Sequence, residues 1–393
     1  MKKLLLATAA LTAMSVSAQA EEIKLGVILG FTGPIESLTP DMAAGAELAM
    51  SEVSESGKFL DGTTVASVRA DSTCVDAGAA TAAAERLITA EGVKGIMGAD
   101  CSGVTGAILT NVAVPNGMVM ISPSATSPGL SETEDNGLFF RTAPSDARQG
   151  AVMTEALIDM GVKSVALTYT NNDYGKGLAD SFQQAFEAAG GSVTISAAHE
   201  DGKADYSSEV AALASAGGDL LVVAGYVDQG GAGIVRGSLD TGAFDKFHFP
   251  DGMIGAALEE NFGSDLDGST GQIPGTDSEG AGMFAEVVGD KFNASGSYAG
   301  ESYDAAALIL LAMQAAGSAE PADYKGKIMD VANAPGEKIY PGELAKALEL
   351  IAAGTDIDYV GATAVEMIEP GEAAGSYREI KFEGGKMTTT GYR

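Results

Sequence analysis

The chain of 393 residues carries 54 acidic and 23 basic side chains, which gives a formal net charge of −31. This excess of acids argues against nucleic acids and anionic membrane surfaces as partners, because both are bound through Lys and Arg. Hydrophobic residues make up 46% of the sequence and its length suits two domains, so we expect a globular protein with two cores. With two histidines and no His-Glu-x-x-His motif, we expect no metal site and no cofactor.

Residues 1–20 have the pattern of a secretory signal peptide. Lys2 and Lys3 precede an apolar stretch from Leu4 to Val16, and Ala18-Gln19-Ala20 is a small-x-small cleavage site. The apolar stretch is too short to span a bilayer, and no later stretch reaches 18 apolar residues. We therefore expect cleavage after Ala20, export to the periplasm and no direct membrane insertion.

After residue 20, short apolar strands alternate with Ala-rich helices. The predicted strands are Ile23–Leu29, Val65–Ala70, Gly95–Met97, Met118–Ser122, Ser164–Tyr169, Val193–Ala198, Leu220–Ala224 and Lys246–Pro250, with a β-like segment at Tyr377–Phe382. The main predicted helices are Asp41–Ser54, Ala77–Glu91, Asp146–Met160, Gly175–Ala189, Tyr206–Ala214, Gly231–Leu239, Ser278–Phe292, Tyr303–Ala316, Ala322–Asn333 and Gly342–Ala353. This alternation predicts an α/β protein with two doubly wound parallel-sheet lobes.

Loops rich in hydroxyl groups follow two strands of the first set. They are Gly98–Gly103 and Ser122–Pro128. Ligands of open parallel sheets bind at the carboxyl ends of the strands. Hydroxyls and free backbone N–H groups at that edge suit a carboxylate, and helix capping by Ser and Thr is the alternative reading.

An acid and two tyrosines follow strands of the second set. Tyr226 and Asp251 come after neighbouring strands, and Tyr174 lies in the loop Asn171–Gly175 on the same rim. A carboxylate beside a tyrosine suits an ammonium group. The alternative is an ordinary turn aspartate on the surface.

Common enzyme motifs are missing from the sequence. It holds no phosphate-binding Gly-x-x-x-x-Gly-Lys-Ser/Thr loop and no Gly-x-Ser-x-Gly elbow, and its glycine-rich turns have the wrong spacing for a dinucleotide. We therefore expect a binding protein rather than an enzyme.

Cys74 and Cys101 are the only cysteines, and an even count in an oxidising compartment favours one disulfide over two buried thiols.

Six segments together resemble the periplasmic leucine/isoleucine/valine-binding proteins, the type I solute-binding proteins of ABC importers. They are Lys24–Pro34, Gly98–Ser102, Met120–Thr126, Phe140–Thr142, Asp173–Gly175 and Gly225–Tyr226. The resemblance implies the Cys74–Cys101 disulfide and two lobes joined by three crossover segments. We place these near residues 141–145, 273–276 and 359–362. Lobe 1 is then 21–142 plus 276–359, and lobe 2 is 143–275 plus 360–393.

The resemblance also implies roles for the loop residues. Ser102, Ser124, Ala125 and Thr126 would bind the ligand's α-carboxylate and assist with its ammonium. Tyr226 and Asp251 would hold the ammonium, with Asp where the family commonly has Glu. Tyr174 and Tyr298 would line the side-chain pocket, and the loop Glu36–Asp41 would add a wall through Leu38 or Thr39.

Asp100 bears on the identity of the ligand, because the family has an apolar residue there that contacts the ligand side chain. A carboxylate facing the pocket would favour a polar or basic amino acid. A carboxylate turned away to cap the helix near Ser102 would favour leucine, isoleucine or valine. We expect the second case, in a monomer that delivers its amino acid to a membrane permease. The open alternatives are an amide, urea or aromatic acid as ligand, a sensor module, and an exported enzyme.

Overall fold

The structure, a computed structural model, describes residues 21–393, and the predicted signal peptide lies outside the described residues. Within this range the chain forms two seven-stranded sheets and one two-stranded sheet. The strands are β1 Glu22–Leu29, β2 Thr64–Asp71, β3 Ile96–Gly98, β4 Met120–Ser122, β5 Phe139–Arg141, β6 Ser164–Thr170, β7 Ser192–His199, β8 Leu220–Ala224, β9 Phe247–Phe249, β10 Thr270–Pro274, β11 Glu337–Ile339, β12 Ile357–Tyr359, β13 Met367–Ile368, β14 Glu372–Ala373, β15 Tyr377–Glu383 and β16 Lys386–Tyr392.

Helices connect and cover the strands. They are α1 Thr39–Ser56, α2 Ala77–Arg86, α3 Ser102–Ile108, α4 Val114–Asn116, α5 Asp146–Asp159, α6 Asp173–Ala188, α7 Ser207–Ala216, α8 Gly230–Thr241, α9 Ala256–Phe262, α10 Glu279–Val288, α11 Ala299–Ala316, α12 Pro321–Tyr324, α13 Ile328–Ala332 and α14 Leu344–Ala352. Several begin at side-chain caps, such as Asp76 before α2, Ser145 before α5 and Asn172 before α6.

The two large sheets confirm the predicted fold class. The first has the strand order β13-β14-β5-β4-β3-β1-β2 and the second β16-β15-β10-β9-β8-β6-β7. Pairing is parallel throughout the β1–β5 and β6–β10 sets, and it becomes antiparallel at β13–β14, β10–β15 and β15–β16. Central strands are apolar on both faces because helices cover both sides of each sheet.

Helix α11 is the core helix of the first lobe, and it is almost wholly buried from Ala299 to Met313. Helix α1 packs closely against it at Gly45. A Cβ at that position would lie 2.3 Å from the carbonyl oxygen of Ala299, so only glycine permits this approach.

The chain crosses between the sheets three times, and one predicted crossing is wrong. The first crossing lies between Arg141 of β5 and Asp146 of α5, and the second follows Pro274 of β10. The third was expected at 359–362, but β14 pairs with β5 in the first sheet and the chain enters the second sheet only at Tyr377. Residues 360–373 therefore belong to the first lobe. The sequence did not reveal this, because two-residue strands give no periodic signal.

Other differences from the sequence prediction are local. The helix expected over 322–333 is broken into α12 and α13, and β5, β10, β11, β12 and β16 were not predicted as strands. The second and third crossings bond to each other, since Gly275 N donates to Ser376 O at 3.0 Å. Among residues 21–393, no single helix has the length and apolar character of a membrane span, and one pair does so only across an 89° bend.

Candidate functional site

The carboxyl ends of the two sheets face each other across a cleft. A cavity of about 20 Å³ remains between them, lined by Ile35, Leu38, Asp100, Cys101, Ser102, Ser124, Tyr174, Tyr226, Asp251, Gly252 and Tyr298. Nine of these eleven, all except Ile35 and Gly252, are residues named in the sequence analysis. This volume is on the scale of one water molecule, so the lobes are in a closed arrangement and must separate to admit an amino acid.

Direct hydrogen bonds between loops on the two sides hold the cleft closed. Asp228 N donates to Pro34 O at 3.0 Å, and Ser37 N donates to a carboxylate oxygen of Asp228 at 2.8 Å. On the far rim the Ser297 hydroxyl donates to Ile254 O at 2.6 Å. These contacts join segments that follow different sheets, so opening of the lobes must break them.

The hydroxyl-rich loops form the wall on the side of the first sheet. Ser102 is the first residue of α3, and its Oγ accepts from Ser127 N at 3.0 Å. Ser124 Oγ donates to the carbonyl of Asp100 at 3.0 Å. Ala125 and Thr126 are fully buried behind this wall, and the Thr126 hydroxyl has no hydrogen-bond partner among the described residues.

Asp251 lies at the centre of the opposite wall, directly after β9, with 1% of its surface exposed. The Tyr174 hydroxyl donates to its Oδ1 at 2.7 Å, and the Tyr298 hydroxyl donates to Oδ2. Burial raises the pKa of Asp251, while these two tyrosine hydrogen bonds lower it. Burial, with the nearby carboxylate, also raises the pKa of both tyrosines, so they remain donors at neutral pH.

Tyr226 forms the aromatic part of the same wall. Its ring stacks on Tyr174 with 5.2 Å between centroids and 15° between planes. The Tyr226 hydroxyl accepts from Asn172 Nδ2 at 3.4 Å, so its hydroxyl points toward the helix cap rather than toward Asp251. The stacked pair presents ring surface to the cavity.

Asp100 turns its carboxylate into its own lobe. Oδ2 accepts from Gly30 N at 2.5 Å, and Oδ1 accepts from Ser72 Oγ and Cys101 N, each at 3.0 Å. Burial raises the pKa of this carboxyl and the hydrogen bonds lower it. The carboxylate thus ties the ends of β1 and β2 to the start of α3 rather than facing a ligand. The expectation that Asp100 turns away from the ligand agrees with this geometry, but the expected capping does not occur, because the carboxylate accepts from Cys101 N before α3 and not from a first-turn N–H of α3.

A disulfide joins Cys74 to Cys101 with 5.2 Å between the Cα atoms. It connects the loop after β2 to the residue before α3, and so fixes the position of Ser102. Closing a loop of 27 residues stabilises the fold by about 3.5 kcal/mol in the chain-entropy model.

Arg141 had no predicted role in the site. Arg141, 1% exposed, donates to the carbonyls of Ala125 at 3.0 Å and Ser127 at 2.9 Å, and pairs with Glu372 at 2.5 Å. It therefore holds the loop after β4 in place.

Within the loop Glu36–Asp41 the wall residue is Leu38, since Thr39 begins α1. No three His, Cys, Asp or Glu side chains gather into a possible metal site within residues 21–393.

Comparison with known proteins identifies the family. Residues 22–334 match the family model described as periplasmic binding protein. The chain belongs to the periplasmic binding proteins. It is 33% identical over 222 residues to Leu/Ile/Val-binding protein homolog 3 of Brucella melitensis, a match that covers 55% of this chain and 57% of that relative. It is 26% identical over 311 residues to a leucine-, isoleucine-, valine-, threonine- and alanine-binding protein of Pseudomonas aeruginosa, covering 78% of this chain and 82% of the relative.

A solved structure supports the same fold for this periplasmic binding protein. The leucine-binding protein of Thermotoga maritima matches with a TM-score of 0.80 and 24% identity, covering 94% of this chain and 98% of the other. Members of this family are binding proteins and not enzymes.

Proposed function

We propose that this protein is the substrate-binding component of an ABC importer and that it encloses a neutral aliphatic α-amino acid between its lobes. The observation that carries the proposal is the division of polar groups across the cleft. A buried carboxylate, Asp251, lies on one wall, and uncharged hydroxyl donors lie on the other. Only a ligand with both a positive and a negative end uses both walls.

The ammonium end fits the wall at Asp251. Its two carboxylate oxygens accept one hydrogen bond each from Tyr174 and Tyr298, which leaves further acceptor positions for an N–H donor. Amides, urea and aromatic acids carry no ammonium, so they would leave this buried carboxylate without a counter-charge.

The carboxylate end fits the wall of the first sheet. Thr126 has an unpartnered buried hydroxyl in that wall, and Ser102 places at the cavity a hydroxyl that accepts from Ser127 N and can still donate its proton. Ser124 also lies at the cavity, but its hydroxyl already donates to the carbonyl of Asp100. Hydrogen bonds to a charged group stabilise by about 1.5–3 kcal/mol each. Because only closure brings both walls to the ligand, binding of both ends favours the closed arrangement.

The remaining cavity wall favours an aliphatic side chain. Ile35 and Leu38 line it together with the stacked rings of Tyr174 and Tyr226. Asp100 is the acid that would favour a polar or basic ligand, and its carboxylate oxygens are engaged within the lobe. The ligands named for the relatives from Brucella and Pseudomonas agree with this chemistry.

The site of action follows from the N-terminal sequence and the family. The signal-peptide pattern of residues 1–20 supports cleavage after Ala20 and a location in the periplasm. There it would present its closed, loaded form to a membrane permease.

A thermal-shift panel on protein stripped of ligand tests the proposal. The panel contains leucine, isoleucine, valine, alanine, glutamine, lysine and arginine, with acetamide, urea and benzoate as non-zwitterions. A ligand at 100 times its dissociation constant adds about 2.7 kcal/mol to the free energy of unfolding. We expect shifts with the branched-chain amino acids. Shifts with benzoate or urea alone would refute the proposal.

A further inference from the structure

Five buried polar side chains meet where the lobes join, beside Asp251. We call them the interlobe cluster: Thr126 after β4, Asp146 and Gln149 on α5, Gln272 on β10 and Tyr377 on β15. All five are completely buried. The backbone ties them together, since Asp146 N donates to Thr126 O at 2.9 Å and Gln272 Nε2 donates to Gln149 O at 3.3 Å.

Most polar atoms of the interlobe cluster have no hydrogen-bond partner among the described residues. They are both carboxylate oxygens of Asp146, both amide atoms of Gln149, the hydroxyls of Thr126 and Tyr377, and Oε1 of Gln272. Buried polar atoms in folded proteins are nearly always bonded to protein, water or ligand. None of the five residues lines the cavity itself, but their neighbour Asp251 does. A concentration of unbonded donors and acceptors behind a cavity-lining carboxylate therefore indicates a place for a polar group.

The charges indicate that this polar group is a cation. Burial and the charge of Asp251 both raise the pKa of Asp146, while Arg141 and the Thr126 hydroxyl lower it. The Gln149 amide likewise lowers the pKa of Asp251. Neither the Thr126 hydroxyl toward Asp146 nor the Gln149 amide toward Asp251 makes a well-formed hydrogen bond. Arg141 forms an ion pair with Glu372 and donates hydrogen bonds to two loop carbonyls, so its charge is already paired.

The other titratable groups facing the acid pair are hydroxyls. Burial raises the pKa of the phenols of Tyr174, Tyr298 and Tyr377, and the charges of Asp146 and Asp251 raise it further. Within residues 21–393 the two carboxyls thus face tyrosines and one arginine that is already paired. A primary ammonium, with a positive charge and three donors, is the group that they lack.

We propose that Asp146 is a second carboxylate of the ammonium site, so that the ligand's amino group lies between Asp146 and Asp251. This inference rests on the proposed function, because it requires a ligand with an amino group. Asp146 is the first residue of α5 after the first crossing, whereas Asp251 follows β9. The ammonium would therefore bridge the crossover segment and the wall of the second sheet.

The test compares the binding of two ligands to wild type, to one variant of Asp146 and to one control variant. Leucine and 4-methylpentanoate, which is leucine without its amino group, are titrated calorimetrically into wild type and Asp146→Asn. We expect the variant to bind leucine at least tenfold more weakly and to bind 4-methylpentanoate within threefold of wild type. Asp201→Asn is the control, since Asp201 bonds Thr170 and Gly230 away from the cavity and should leave both affinities unchanged.

Equal weakening of both ligands, or a loss for leucine below threefold, would overturn the inference while leaving the proposed function standing. Wild type that binds no amino acid would overturn the proposed function itself. If Asp146→Asn does not fold, a crystal structure of wild type with leucine decides the matter. The ligand nitrogen is expected within about 3.2 Å of a carboxylate oxygen of Asp146. A water molecule between them, with the nitrogen bonded to Asp251 alone, would refute the assignment.

Discussion

Substitution of Asp251 by asparagine isolates the role of its charge. The two side chains have the same shape, and Asn can still accept a hydrogen bond from one of the two tyrosines, Tyr174 or Tyr298. What disappears is the counter-charge of a fully enclosed ammonium, because Asp251 is 1% exposed. Removal of one partner from a buried charge pair costs about 2–5 kcal/mol. At 1.4 kcal/mol per tenfold change, this is a loss in affinity of roughly 30-fold to several thousand-fold.

The assay is calorimetric titration with leucine, paired with thermal unfolding in the absence of ligand. Burial raises the pKa of Asp251, so replacement by a neutral group should leave the unliganded protein about as stable as wild type. Asp201→Asn serves as the matched control, because it removes a partly buried acid that does not line the cavity. A loss in affinity below about threefold for Asp251→Asn, or an equal loss for the control, would refute this reasoning.

Three further predictions concern the opposite wall, the disulfide and a buried acid. Thr126→Val should weaken leucine binding by roughly 10- to 150-fold with little change in the unliganded melting temperature, because the hydroxyl makes no well-formed hydrogen bond within the described residues; a lower melting temperature with unchanged affinity would contradict it. Cys74→Ser with Cys101→Ser should lower the free energy of unfolding in urea by about 3.5 kcal/mol, and alkylation of both cysteines in unreduced wild type would contradict the bond. Burial raises the pKa of Glu301 to about 8, so its carboxyl destabilises the fold progressively as pH rises from its unfolded pKa toward 8. Glu301→Gln should therefore flatten the fall in unfolding free energy between pH 5 and 8, and an unchanged slope would count against it.

The parallel sheets were predictable because their strands are short apolar runs between Ala-rich helices. This pattern follows from burial on both faces, as in Leu220–Ala224. Strand β16 escaped prediction because it is a polar, largely exposed edge strand that follows the turn Gly384-Gly385. Strands β13 and β14 have two residues each, too few to show a period, and the pairing of β14 with β5 joins segments more than 200 residues apart.

The site residues that sequence alone revealed are those in loops directly after strands. Tyr174, Tyr226 and Asp251 belong to this class, and their convergence follows from the shared edge of one sheet. Asp146 looked like an ordinary first-turn acid behind the cap Ser145. Its burial beside Asp251 depends on how the crossover segments pack, and no local pattern encodes that packing. The role of Arg141 was hidden for the same reason, since Glu372 comes from the end of the chain.

The claim that the cleft recognises both ends of an amino acid is tested most directly with three related ligands. Leucine, 4-methylpentanoate without the ammonium, and leucinamide without the carboxylate are titrated into the wild-type protein stripped of ligand. The two-walled site of Asp251 and Thr126 predicts one leucine per chain and a loss of at least thirtyfold for either analogue, on the order of 2 kcal/mol for each missing charge. An analogue that binds as tightly as leucine, or no binding by any amino acid, would contradict the account.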